Sequence, residues 1–311
     1  MSCLHVLNGD GLQPAFDQTG IAGSCVIWRE ALCRGPVHPE AGSEAFVRLR
    51  ETYLSQLHTA GPSYRQYVLP ELEKLRRLAP QAEEVVLWFG AEYFCQINLM
   101  GALSLLAALP QPLRISLVCT GHFPGLGAIK CLGDLSPPQL ATLWPGRLHL
   151  QQQELALAAR CWHAFACGHA PELYELQRQA DFGQLGCLQS CITTYLELFP
   201  HTQHALTGIE WQILGLFEQQ DPWPWQQLMR KLLQQDLRYG FGDLQLEQLL
   251  ADMSPLILRD EQDLLSLSPH GREVLAGKQK AHLPAHASRW NGGAPLLSYR
   301  WNAQARMLEP A

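Results

Sequence analysis

Four short apolar runs rich in β-branched residues punctuate the first third of the chain: Cys3–Asn8, Ser24–Arg29, Glu84–Phe89 and Arg114–Cys119. A shorter fifth lies at Arg147–Leu150. Their apolar positions are continuous rather than alternating, which predicts strands buried on both faces. Helical spacing fills the intervals at Leu12–Thr19, Ser43–Thr59 and Glu92–Leu109. Strand–helix–strand alternation of this kind predicts an α/β domain with a mainly parallel sheet over residues 1–148. The stretch 149–205 changes character. It has little Val or Ile, and Leu155, Ala158, Ala159 and Trp162 recur at helical spacing, so it reads as an all-helical region.

Residues 206–311 carry a third pattern. Thr207–Gln219, Trp225–Gln235 and Asp243–Met253 read as helices. Leu256–Arg259 and Leu264–Ser268 read as a ribbon across the polar turn Asp260-Glu-Gln-Asp263, and Pro269–Gly277 as a closing helix. Three helices, a two-stranded ribbon and a further helix predict a winged-helix-like module. An aromatic tail with Arg289-Trp-Asn-Gly-Gly and Tyr299-Arg-Trp-Asn302 follows, and is expected to fold back on the body because exposed tryptophan is an association hazard.

Composition narrows the class. A net charge of -6 argues against an electrostatic grip on nucleic acid or anionic lipid. The first 15 residues lack a basic stretch followed by a long apolar one, so no export signal is expected. No uncharged apolar run reaches the roughly 18 residues needed to cross a bilayer; the nearest, Phe94 to Leu109, carries Gln96 and Asn98 and reads as an amphipathic or core helix. A cytoplasmic protein without a membrane partner is the expectation. Its ten cysteines should then stay reduced, with Cys25, Cys95 and Cys119 acting as small hydrophobes, and Cys187 and Cys191 as core packing.

Ligands of open parallel sheets bind outside the carboxyl ends of the strands. Each predicted strand here ends in polar residues that a core does not need. The first delivers Asn8 and Asp10, the second Arg29 and Glu30 after Trp28. The third ends at Trp88-Phe-Gly-Ala-Glu92, with Gln96 and Asn98 on the following helix, and the fourth at Cys119-Thr-Gly-His122. Asp10 could equally cap a helix near Leu12, and Glu92 could favour a helix dipole. Four strand ends behaving alike favour a site for a small polar molecule. In that reading Asp10 is base or metal ligand, Glu30 and Glu92 are its partners, and His122 is an acid. Gln96 and Asn98 orient the ligand, and Trp28 and Trp88 form stacking walls. No dinucleotide, P-loop or nucleophile-elbow motif occurs, and no cofactor is specified.

Two other motifs carry less. In Cys161-Trp-His163-Ala-Phe-Ala-Cys167-Gly-His169, the helix period sets Cys161 and His163 about 200° apart, which argues against a shared zinc. The helix Asp243–Asp252 would be the recognition helix of a winged helix, yet it holds three acids and no Lys or Arg. It would be repelled by phosphates, so the module reads as a packing, dimerisation or protein-interaction unit rather than a DNA reader.

Several segments together are similar to the bacterial proteins called "domain of unknown function 1835". They are His5-Val-Leu-Asn-Gly-Asp10, Val26-Ile-Trp-Arg-Glu30 with Gly35-Pro-Val37, and Val86-Leu-Trp-Phe89 with Phe94-Cys-Gln-Ile-Asn98. Near the end, Ser268-x-x-Gly-Arg-x-Val-Leu275, Arg289-Trp-Asn-Gly-Gly293 and Arg300-Trp-Asn302 also resemble that family. The resemblance implies no established activity, substrate or cofactor. It covers Asn8, Asp10, Trp28, Glu30, Trp88, Gln96 and Asn98. Where the family's Trp-Phe-Glu-His-Asp segment has Glu-His-Asp, this chain has Gly90, Ala91 and Glu92, so two of the three acid–base or metal groups are missing, and the family's acid before Gly-Pro-Val is replaced by Arg34. Catalysis and simple binding both stay open.

Overall fold

A computed structural model describes residues 3–57, 62–109, 113–235, 238–283 and 289–311. The first third runs β1 (Cys3–Asn8), α1 (Gln13–Phe16), β2 (Ser24–Trp28), α2 (Glu44–Leu57), α3 (Tyr64–Tyr67), α4 (Leu69–Leu78), β3 (Glu84–Trp88), α5 (Tyr93–Ala107) and β4 (Ile115–Val118). A hairpin of β5 (His122–Phe123) and β6 (Gly127–Ala128), then α6 (Pro137–Leu143) and β7 (Leu148–His149), complete it. The sheet order is β2-β1-β3-β4-β7. The first four strands are parallel, whereas the two-residue edge strand β7 is antiparallel to β4. The sheet is therefore mixed and mostly parallel.

Both sheet faces are covered, which is why the strands read as continuous apolar runs. Val6, Trp28, Leu87 and Leu117 point into the larger core, while Leu7, Ile27, Trp88 and Val118 point into a second one under α1 and α6. Helix α5 is apolar on all sides because it lies between the sheet and two further helices. Helices α3 and α4 were not evident from periodicity. A Ser63–Gln66 capping box starts α3, and Pro70 stands in the first turn of α4. Of the helix expected over Ser43–Thr59, positions His58 and Thr59 lie outside the described residues.

The middle is helical, with α7 (Gln152–Ala166), α8 (Ala170–Gln179) and α9 (Gly186–Glu197). The last third holds α10 (Gly208–Gly215), β8 (Trp223–Pro224), α11 (Trp225–Gln235), α12 (Asp243–Asp252), β9 (Ile257–Arg259), β10 (Leu264–Leu267) and α13 (Pro269–Leu275). The expected ribbon is three-stranded, in the order β8-β10-β9, because Trp223 and Pro224 pair with Leu265 and Leu264.

The tail adds two small hairpins, β11 (Trp290–Asn291) with β12 (Ala294–Pro295), and β13 (Tyr299–Asn302) with β14 (Met307–Pro310). It lies against the helical region. Gly293 donates to the Phe165 carbonyl, Asn291 bridges the Tyr93 hydroxyl and the Tyr195 carbonyl, and Trp301 is buried. Gly292 sits at φ +64 directly against Phe165, a conformation and a closeness that a side chain would not tolerate. One apolar core runs from Leu4 and Leu87 through Leu157 and Ile192 to Leu256 and Trp301.

Candidate functional site

The strand order reverses between β1 and β3, the switch point where a doubly wound sheet opens a crevice. Here helix α5 fills that crevice with amides. Asn98 donates to Asn8 Oδ1 at 2.9 Å and to the Glu30 carbonyl at 2.7 Å, and accepts from the Leu32 amide at 3.0 Å. Asn8 passes the network to the Cys95 sulfur, and Gln96 donates to the Gly90 carbonyl at 2.6 Å. Gln96 and Asn98 are fully buried. Their carbonyl partners belong to the loops after β2 and β3, so these amides set the course of the strand-end loops.

Away from that crevice, the ends of β1 and β2 are tied together. The Asp10 carboxylate receives a forked pair of bonds from Arg29, 3.0 Å from Nε and 2.7 Å from Nη2, and a further bond from the Tyr67 hydroxyl. Partial burial pushes the Asp10 carboxyl up, but the bonds from Arg29 and Tyr67 outweigh it and hold it below its usual range. A carboxylate so engaged is a poor base, which corrects the role expected of Asp10. Glu30 is buried against Arg50 at 3.2 Å and bonded by the Tyr64 hydroxyl. Arg50 also donates to the carbonyls of Ala31 and Arg34, so this pair pins the loop after β2.

The tryptophans are corrected as well. Trp28 and Trp88 lie within the cores on opposite faces of the sheet, where Trp88 donates to His5 Nδ1 at 3.2 Å and stacks near Trp144. Period-two alternation places them there, and neither forms a wall of a cavity. His122 is exposed on the β5–β6 hairpin.

Only Glu92, of the ten expected residues, lines the cavity that the β3 and β4 ends share with the helical region. That cavity measures about 480 Å³. Ala91, Glu92 and Gly121 form one side; Gln177 of α8, Ser190 and Thr194 of α9, and Arg238 form the other. Glu92 precedes α5 in extended backbone but does not cap it. The amides of Tyr93 and Phe94 donate instead to the carbonyls of Arg238 and Tyr239, both at 2.9 Å. The Glu92 side chain turns back over Gly90 and lies against Gly240; a Cβ at either glycine would collide with it. Glycine at position 90 thus makes room for the Glu92 carboxyl.

Burial pushes Glu92 up to about 7, outweighing the lowering effect of a hydrogen bond with Cys95, and its Oε2 has no partner among the described residues. Arg238, beside it on the rim, pairs with Glu197. A wider groove of about 1060 Å³ runs between Arg29, Tyr67 and α12. The strand-end charge it meets, Arg29, is already neutralised by Asp10.

Sequence reading missed Arg238, which lies far along the chain, and the place of Cys191 in the cavity lining. Cys119 accepts from Gln96 at 3.4 Å. Cys191 is buried, as expected of packing, whereas Cys187 is only partly covered. Among the described residues no group of three or more His, Cys, Asp or Glu side chains is placed to hold a metal ion. None of the helices among the described residues is long and apolar enough to cross a membrane. No protein-family model matches the chain, and the search of curated proteins returns no match.

Proposed function

We propose that the cavity between the β3–α5 junction and α8–α9 binds a small polar metabolite in a cytoplasmic enzyme, and that Glu92 moves a proton during its conversion. The observation that carries this is the buried Glu92 carboxyl on the cavity wall, with one oxygen unpartnered and its proton affinity near neutrality. A group poised there exchanges a proton at the least cost at physiological pH. Gln177, Ser190, Thr193 and Thr194 offer neutral donors and acceptors, and Arg238 a cation at the rim. Such a lining suits a hydroxylated or amide-bearing molecule with an acidic end better than an apolar one. In this reading Glu92 stands at the last position of the Glu-His-Asp cluster of the resembled family and is the one acid retained there.

The test is a thermal-shift screen of polar metabolites, followed by turnover assays on those that bind. Wild type should convert at least one, with an inflection in rate near pH 7, and Glu92→Gln should bind but not convert it. Binding without turnover in wild type would establish a second reading, a ligand-sensing protein. That reading has its own support: the order helix, strand, helix, helix, strand, strand over α10–β10, with sheet order β8-β10-β9, is compatible with the winged-helix-like module expected from the sequence. Its helix α12 carries Asp243, Glu247 and Asp252, so its partner is a protein surface rather than DNA. No binding to any polar metabolite would refute both.

A further inference from the structure

We propose that the molecule bound between the β3–α5 junction and α8–α9 carries a primary amine, and that its ammonium group docks on Glu92 Oε2. The cavity is the one assigned a metabolite above, so the amine rests on that reading. Glu92 is buried in the cavity wall, and its Oε2 meets no donor among the described residues. A second buried acceptor flanks the same glycine. Gln96 fixes its amide nitrogen on the Gly90 carbonyl, which leaves its Oε1 without a partner, while the Glu92 carboxyl folds over Gly90 from the other side. Two acceptors left without donors at one spot call for a ligand group rich in N–H bonds, not for a further acceptor such as a carboxylate.

The surrounding charges call for a cation as well. Arg238, across the cavity, is held by Glu197 and by the Tyr239 hydroxyl at 2.7 Å. Lys130, next to the lining residue Ile129, gives its ammonium to the carbonyls of Leu233 and Phe241 at 3.2 and 3.3 Å. Neither cation donates to Oε2. Asp134, whose carboxylate takes the amides of Lys130 and Cys131, adds a negative charge that acts on Glu92. Burial and Asp134 both disfavour the Glu92 carboxylate while the cavity is empty of positive charge. A ligand ammonium reverses that balance by forming a charge-assisted hydrogen bond.

An ammonium fits better than other cations. The hydrogen bond with Cys95 occupies one end of the carboxyl and leaves Oε2 alone. A guanidinium makes its strong contact through two parallel bonds to two oxygens, which Glu92 does not present. An ammonium needs one oxygen and keeps two further donors. Ser190 and Thr194 of α9 line the far wall and carry hydroxyl acceptors for them. A metal ion would need more ligands: no group of three His, Cys, Asp or Glu side chains among the described residues is placed to hold one.

Calorimetric titration of the full chain at neutral pH with matched amines and alcohols tests this. The pairs are ethanolamine with ethylene glycol, serine with glycerate, and γ-aminobutyrate with γ-hydroxybutyrate. In at least one pair the amine should bind about tenfold more tightly or better than its hydroxyl partner. Glu92→Gln should erase that preference and leave the hydroxyl partner's affinity unchanged. Equal binding within every pair, no binding by any amine, tighter binding of γ-guanidinobutyrate than of γ-aminobutyrate, or a preference that survives in Glu92→Gln would overturn the proposal. The wild-type pairs decide the matter even if the variant fails to fold. Amines that bind but are never converted would leave this proposal standing and remove the enzymatic reading. Conversion confined to metabolites without an amine would do the reverse.

Discussion

Replacing Glu92 by glutamine tests the electrostatics of the site without needing its substrate. The side chain keeps its shape while losing its charge. In the unfolded chain the carboxyl has its ordinary value of 4.5, and burial in the folded protein raises it to about 7. At 1.36 kcal/mol for each tenfold change in proton affinity, that difference is worth about 3 kcal/mol. The sign follows from which state holds the proton. Below 4.5 the group is neutral in both states and costs the fold nothing. As pH rises toward 7, the unfolded chain releases the proton while the folded protein keeps it or carries a buried charge, so stability falls. Above about 7 the full penalty applies.

Urea unfolding of wild type and Glu92→Gln from pH 4 to pH 8 should therefore diverge. The variant should gain on wild type by about 3 kcal/mol across that range, with most of the change between 4.5 and 7. Burial also lowers the proton affinity of His5, His201 and His204, but both proteins share those groups and the difference cancels them. A stability difference independent of pH would refute the buried, poorly solvated state of Glu92. The proton-transfer role would fall with it.

Three further outcomes follow from the same geometry. Asp10→Asn should cost no more than about 1 kcal/mol in urea unfolding, because its pair with Arg29 is partly exposed. Arg50→Met should cost about 3–5 kcal/mol by the same measurement, since it strands the buried Glu30 carboxylate without its partner. Gly240→Ala should lower the thermal midpoint and displace Glu92, because position 240 is held at φ +67 with the Glu92 side chain against it; an unchanged midpoint would contradict that contact.

Much of the scaffold was written locally. Continuous β-branched runs between helical patterns determined a mostly parallel sheet, and four strands appear within a residue of their expected ends, because a strand buried on both faces has no solvent side to break its pattern. Helical patterns likewise marked α5, α11 and α12. The site was legible only in part. Polar residues at strand ends announced that something is built there, but not which of them face a cavity. Asp10 found Arg29, Glu30 found Arg50, and the two tryptophans fell into the cores. Those outcomes depend on partners brought near by folding, and a carboxylate beside a guanidinium reads the same in sequence as one left alone. The tertiary structure decided that one carboxyl oxygen of Glu92, Oε2, stays without a hydrogen-bond partner among the described residues, since Gly90 and Gly240 make the space for it.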